Sequence, residues 1–164
     1  MKHEILLSTA GLGIVFYSPF AVASIHEGDD YFSASFANPA EVAAHATNGN
    51  IATFCTGSGG DFRLVVYDGR LDDDALRTAE FKIRLCLEVR GTEVCFRDMY
   101  DLMDWAKECP GSQKVTLADG FYRVTVYSST PESGIIGNDQ TICVHFERMD
   151  RMPTLKWDGI PQLC

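Results

Sequence analysis

The residues that could act as nucleophiles, bases or metal ligands follow no recognised catalytic pattern. Cys55 and Cys143 are the candidate nucleophiles, and the candidate bases are the four histidines His3, His26, His45 and His145. Cys143 and His145 lie two apart on one predicted strand face, which separates their Cβ atoms by about 7 Å and does not form a catalytic pair. Because the chain has no CxxC pair, we expect no zinc site. The sequence therefore predicts a non-enzyme without a metal or a cofactor.

Two of the six cysteines come together if the chain forms a hairpin over residues 85–96. A tight turn at Gly91 would place Cys86 directly opposite Cys95. Opposite residues at a non-hydrogen-bonded position lie about 4.5 Å apart between Cα atoms, within reach of a disulfide. The same register also opposes two acidic and two basic side chains, which is unfavourable. Buried, reduced thiols are therefore the alternative for all six cysteines.

Acidic residues form the clearest candidate binding features. They occur as one run in a predicted loop and as a second group at every third position of a predicted helix: Asp72, Asp73 and Asp74, then Asp98, Asp101 and Asp104. A third group is Glu27, Asp29 and Asp30. Such groups bind cationic partners or are simply solvated surface. Trp105, Trp157 and Tyr100 are candidate anchors of an interface, and the alternative for both tryptophans is burial in the protein.

Alternation of apolar and polar residues predicts that most of the chain is strand. The predicted strands are 50–55, 62–67, 81–89, 113–117, 122–126 and 142–146, and the segment 12–24 is a further buried strand. Helical spacing predicts two short helices, one capped by Asn38 and ending at Gly49, and one capped by Asp98 and ending before Pro110. These elements predict a mainly β fold, either an antiparallel β-sandwich or a flattened barrel.

Length and charge limit the function further. The 164 residues carry 14 Lys and Arg against 23 Asp and Glu, which gives a net charge of −9. We expect one domain over residues 1–164, and the negative charge argues against binding to nucleic acid or to anionic membranes. The first 24 residues partly match a signal peptide that would be cleaved after Ala23. A cytoplasmic location is expected, and a periplasmic or secreted location is the alternative.

The order of four segments resembles the competence protein J family, whose small members inhibit the DNA-entry nuclease. The segments are FYSPFAVAS (16–24), AAHATNGNIATFCTGSGGDFRLVVYDG (43–69), EFKIRLCLEVRGTEVCF (80–96) and VTLADGFYRVTVYSSTP (115–131). The resemblance covers about two thirds of the chain, and ADGFYRVTVYSSTP is its most specific part. It does not extend to the predicted helix at 98–109, the six cysteines or the tail at 152–164.

The resemblance implies an inhibitor or immunity protein that binds and occludes a nuclease or nuclease-like toxin. It assigns no catalytic residue, in agreement with the absence of a catalytic motif. The expected partner is therefore a cationic protein, attracted by the acidic groups. The alternative is an exported β-sandwich with three disulfides that binds a component of the cell envelope.

Overall fold

The computed structural model describes residues 2–155 and 161–163, and these residues form two packed β-sheets with short helices. The strands are β1 (Lys2–Thr9), β2 (Gly13–Tyr17), β3 (Ile51–Cys55), β4 (Gly60–Asp68), β5 (Phe81–Val89), β6 (Glu93–Asp98), β7 (Lys114–Thr116), β8 (Gly120–Ser128) and β9 (Gln140–Met149). The α-helices are α1 (Tyr31–Ser35), α2 (Pro39–Asn48) and α3 (Asp73–Thr78). Short 3₁₀ helices occupy Pro19–Val22, Met99–Met103 and Gly111–Gln113.

The two sheets form a sandwich and do not close into a barrel, which confirms the first of the two predicted architectures. The five-stranded sheet has the order β1-β4-β9-β8-β5, and the four-stranded sheet has the order β3-β2-β6-β7. Adjacent strands are antiparallel except β4 and β9, which are parallel. Two strands joined by a tight hairpin must run antiparallel, whereas neighbouring strands that are not joined in this way can be parallel. Because β4 follows β3 of the other sheet through the turn at 56–59, its direction is not fixed by a hairpin.

The core between the sheets follows from the alternation that the sequence shows. Leu85 and Leu87 on β5, and Val94 and Phe96 on β6, point into this core with the inward residues of the other strands. Phe16 stacks on Phe96 with ring centroids 5.3 Å apart. The apolar face of each strand is therefore buried against the opposite sheet, as expected for a sandwich.

The segment 85–96 does not form the predicted hairpin. β5 pairs with β8 in the five-stranded sheet, whereas β6 pairs with β2 and β7 in the four-stranded sheet. The tight turn itself is present, with positive φ at Gly91 (78°) and Thr92 (58°). It carries the chain from one sheet to the other because the apolar residues on both sides of the turn are buried in the shared core.

Several predicted elements are observed close to their expected positions. The helix α2 is capped by Asn38, whose side chain accepts a hydrogen bond from the Glu41 N–H at 3.0 Å, and it ends at Gly49 with φ 66°. β3, β4, β5, β7, β8 and β9 match the predicted strands, and β2 confirms that the segment 12–24 contains a buried strand. β1, α1 and α3 were not expected. No helix among the described residues has the length and apolar character needed to cross a bilayer.

The second predicted helix is shorter than expected and is a 3₁₀ helix. Asp98 caps it by accepting a hydrogen bond from the Tyr100 N–H at 3.2 Å, but the helix ends at Met103. The backbone N–H of Trp105 instead donates to the Asp29 carbonyl at 3.0 Å. Helical periodicity in the sequence could not indicate this tertiary hydrogen bond, which ends the helix early.

Candidate partner-binding surface

The outer face of the four-stranded sheet is covered by a second apolar cluster. Val15 and Tyr17 of β2 and Cys95 of β6 pack there against Trp105 and other residues of the covering segments. These segments include α1, α2 and the 3₁₀ helix at Met99–Met103. The cluster therefore fixes the position of the acidic residues that follow β6.

Arg97 lies at the centre of this cluster and attaches the 3₁₀ helix to the sheet. Its side chain is only 5% exposed, and its Nε donates to an Asp101 carboxylate oxygen at 2.9 Å. Its guanidinium carbon lies 4.5 Å from the Trp105 ring centroid, and its Nη1 also donates to the Ala106 carbonyl. Burial opposes the charge of Arg97, but hydrogen bonding and attraction to Tyr17 and Asp101 raise its pKa overall. The guanidinium therefore stays charged inside the cluster.

Two acidic groups that are far apart in sequence meet on this side of the molecule. The Gly28 N–H donates to the Trp105 carbonyl at 2.7 Å, and the Lys107 N–H donates to the Glu27 carboxylate at 2.8 Å. Residues 27–30 therefore lie beside residues 101–107. We call the resulting surface the acidic face and define it by five residues: Glu27, Asp29, Asp30, Asp101 and Asp104. Hydrogen bonds from the Ser33 N–H and hydroxyl lower the pKa of Asp30, which favours its charged form.

The acidic face also presents apolar side chains to solvent. Tyr100 is 41% exposed and Met103 is 37% exposed, and both belong to the 3₁₀ helix that carries Asp101. Among the described residues, the other large exposed apolar side chains are Leu6 and Ile135. Aromatic and methionine side chains surrounded by charged residues are typical of protein interfaces.

The individual predicted residues of this region have different roles. Asp98 accepts hydrogen bonds from the Tyr100 N–H and, at 3.0 Å, from the Ala10 N–H, so it mainly caps the helix and fixes the loop after β1. Asp104 is exposed. Trp105 is only 1% exposed, so the prediction that it anchors a partner is wrong and the alternative of burial is confirmed. Trp157 lies outside the described residues.

Asp72, Asp73 and Asp74 are not in a loop but at the start of α3. Asp72 caps this helix by accepting a hydrogen bond from the Asp74 N–H at 3.0 Å, and Asp74 pairs with Arg77 at 2.6 Å. Acidic residues stabilise the first turn of a helix, which gives this run a structural role. Because α3 lies over the five-stranded sheet, Asp72–Asp74 and the acidic face are on opposite sides of the sandwich. The two predicted groups cannot contact a partner through one continuous surface.

The predicted Cys86–Cys95 disulfide is wrong because the two thiols point away from the shared core, Cys86 towards α2 and Cys95 into the cluster outside the four-stranded sheet. Cys86 is a free thiol that donates to the Ala46 carbonyl at 3.2 Å, and burial raises its pKa to about 11. Cys95 is also free, and its thiol is hydrogen-bonded to Cys109. This hydrogen bond raises the pKa of Cys95 and lowers the pKa of Cys109. The positive charge of Arg97 also lowers the pKa of Cys109, because it stabilises the thiolate. Sequence spacing did not indicate this pair, because the 13 residues between the two thiols suggest no particular turn.

Cys143 and His145 lie on the outer face of the five-stranded sheet and do not form a catalytic arrangement. Cys143 is hydrogen-bonded to Tyr127, and burial raises the pKa of its thiol. His145 is buried and stacks on Tyr67 with ring centroids 5.2 Å apart. Its Nδ1 has no hydrogen-bond partner among the described residues, so no carboxylate orients the ring as a catalytic base requires.

No family model matches this chain, and no curated protein matches it in sequence. Solved structures resemble it over almost the whole chain. The first is described as "Crocagin biosynthetic gene J", with a TM-score of 0.55 and 14% sequence identity over 90% of this chain and 98% of that chain. This chain shares that fold. The comparison establishes the architecture of the sandwich alone.

A second similar structure is ComJ from Bacillus subtilis, described as an inhibitor of the DNA-degrading activity of NucA. The TM-score is 0.48 and the sequence identity is 9%, over 91% of this chain and 96% of ComJ.

Proposed function

We propose that this protein binds and occludes a cationic nuclease or nuclease-like toxin, as an inhibitor or immunity protein without a catalytic activity of its own. The observation that carries the proposal is the exposure of Tyr100 and Met103 on the 3₁₀ helix that also carries Asp101 of the acidic face. The sequence resemblance to the competence protein J family supports the choice of a nuclease as partner. A nuclease binds phosphates in a basic cleft, and an acidic protein can cover such a cleft.

The acidic and apolar residues would act on different steps of binding. The carboxylates attract a basic surface over a distance and so increase the association rate, up to about 10⁸ M⁻¹s⁻¹ at low salt. Tyr100 and Met103 would become buried in the complex and would slow dissociation. The ion pair between buried Arg97 and partly exposed Asp101 would hold the 3₁₀ helix in place before binding, which reduces the entropy lost on association.

If this protein is such an inhibitor, we expect its target nuclease to be encoded beside it, and stopped-flow association with that nuclease tests the proposal. The first variant carries Asp29→Asn, Asp30→Asn and Asp104→Asn on the acidic face. The matched control carries Asp72→Asn, Asp73→Asn and Asp74→Asn at α3, which changes the net charge equally. Asparagine is as good a helix cap as aspartate, so the caps formed by Asp30 and Asp72 remain and both variants should stay folded.

We expect the acidic-face variant to associate about tenfold more slowly at low salt, and the difference to shrink as salt screens the charges. The control should associate like the wild type. Tyr100→Ala should instead raise the dissociation rate about tenfold or more. If the control slows association and the acidic-face variant does not, the partner binds the side of α3. Equal rates for all proteins would exclude charge-steered binding.

A second candidate is the exported, disulfide-bonded binding module, and the Cys95–Cys109 hydrogen bond is the observation that favours it. In an oxidising compartment these two thiols would form the bridge, rather than Cys86 and Cys95. Thiol titration of unfolded protein isolated from its own host distinguishes the candidates. Six free thiols would support the reduced, cytoplasmic protein, and fewer, with Cys95 and Cys109 protected together, would support the exported one.

A further inference from the structure

A pocket on the outer face of the five-stranded sheet collects positive charge in a protein whose net charge is −9. The pocket has a volume of about 350 Å³ and lies between α3 and the strands β5, β8 and β9. Three arginines line it together with Thr125, Asp73 and Glu147: Arg70, Arg84 and Arg123. It lies on the opposite side of the sandwich from the acidic face.

The strand register explains why two of these arginines lie close together. Arg84 on β5 is directly opposite Thr125 on β8, and Arg123 is opposite Cys86. Arg84 and Arg123 are therefore diagonal neighbours on one face of the sheet, where such residues are about 7–8 Å apart. Two positive charges at this distance repel each other, and a negative group between or beside them compensates for the repulsion.

Only part of this positive charge is balanced within the protein. The Arg123 Nε donates to a Glu147 carboxylate oxygen at 3.1 Å. The side chains of Arg70 and Arg84 are exposed and form no ion pair or hydrogen bond with residues 2–155 and 161–163. The two acids that face the pocket, Asp73 and Glu147, leave one positive charge in excess.

The floor of the pocket contains a further unused donor. Thr125 is only 6% exposed, and its side chain forms no hydrogen bond to any other described residue. Its hydroxyl is not among the buried polar atoms that lack a partner in the described residues, so it is reached from the pocket and is available to a ligand. Thr125 therefore adds a hydrogen-bond donor to the arginines that line this pocket.

We propose that this pocket binds a small oxyanion, the phosphate or carboxylate group of a small molecule. Arg84 and Arg70 would each donate two hydrogen bonds to its oxygens, and the Thr125 hydroxyl would donate one from below. Arg123 would remain paired with Glu147 and contribute positive charge. The volume is at the lower end of the range for ligand pockets, so the ligand is a small molecule. This site is independent of the nuclease-binding function proposed above.

Isothermal titration calorimetry of the intact protein with inorganic phosphate, and separately with citrate, at constant ionic strength tests this site. Arg84→Gln should weaken binding about tenfold or more, and Thr125→Val should weaken it several-fold. The matched control is Lys82→Gln, which removes one positive charge from the same strand. Lys82 does not line this pocket but lines an adjoining apolar depression that shares Arg84 and Thr125 with it. Its affinity should equal that of the wild type. Arg70→Gln, in the loop before α3, provides a second test that does not alter the sheet.

Tighter binding of phosphate than of citrate would identify phosphate esters as the ligand class, and the reverse order would identify carboxylates. Equal weakening by Lys82→Gln and Arg84→Gln would overturn the proposal, because it would show general attraction to surface charge. Absence of binding by both anions at millimolar concentrations would also overturn it. Thermal unfolding of each variant confirms that a lost affinity does not result from a lost fold.

Discussion

The two outer faces of the sandwich differ in how the chain uses them. The outer face of the four-stranded sheet carries Val15, Tyr17 and Cys95 and is covered by helices and loops with Trp105 at their centre. The outer face of the five-stranded sheet carries polar side chains and is covered mainly by the short helix α3. A covered face can position a rigid surface for a partner, whereas an open face exposes its own strand residues to small ligands.

The burial patterns of the strands account for this difference. All five residues of β2 are buried, which requires apolar contacts on both faces of its sheet. In β4 and β5, inward residues are buried and several outward residues are exposed. A strand that is apolar on both faces must be covered on both, because exposed apolar surface is unfavourable by roughly 25 cal/mol per Å².

The largest expected difference between the faces is in the effect of removing an aromatic ring. Trp105→Ala should lower the free energy of unfolding by about 3–5 kcal/mol, because it leaves a cavity beside Arg97 and Tyr17. Tyr127→Ala, on the other outer face, should lower it by about 1–2 kcal/mol since Tyr127 is only partly buried. Urea unfolding of both variants measures these values. Equal losses would show that the two faces contribute similarly to stability.

The two arginine–carboxylate pairs should differ by a smaller amount. Arg97→Met should lower the free energy of unfolding by about 2 kcal/mol, because it leaves Tyr17, Asp101 and the Ala106 carbonyl without their donor. Arg123→Met should cost less than about 1 kcal/mol, since both members of its pair are about one third exposed. Urea unfolding in parallel tests this order, and a larger loss for Arg123→Met would contradict it.

The smallest expected effect is a pH dependence of stability that arises from His145, on the outer face of the five-stranded sheet. Burial lowers the pKa of His145 below its ordinary value of 6.5. As the pH falls below about 6.5, the unfolded chain therefore takes up a proton at His145 before the folded protein does, and stability decreases. His145→Phe keeps an aromatic ring on Tyr67 but removes the titration. Its melting temperature should fall less than that of the wild type between about pH 8 and pH 5, and an identical fall would exclude a contribution from His145.

Local sequence patterns were sufficient for elements whose signals are themselves local. The cap at Asn38 and the glycine at position 49 define both ends of α2. Alternation defines β5 and β8, because a strand with one buried face repeats every two residues. Alternation did not predict β1, where Lys2 and the apolar residues from Ile5 onward partly match a signal peptide. β1 is recognised as a strand only through its pairing with β4.

The sequence by itself determined the β content, the direction in which most side chains point, the negative charge and the resemblance to an inhibitor family. The tertiary structure alone decided which strands share a sheet, and with it the separation of Cys86 from Cys95. It also brought Glu27–Asp30 beside Asp101–Asp104, buried Trp105 and assembled three arginines in one pocket. The physical reason is that hydrophobic burial has no preferred partner: alternation shows which residues are inside, and only the packing of the whole chain decides what they contact.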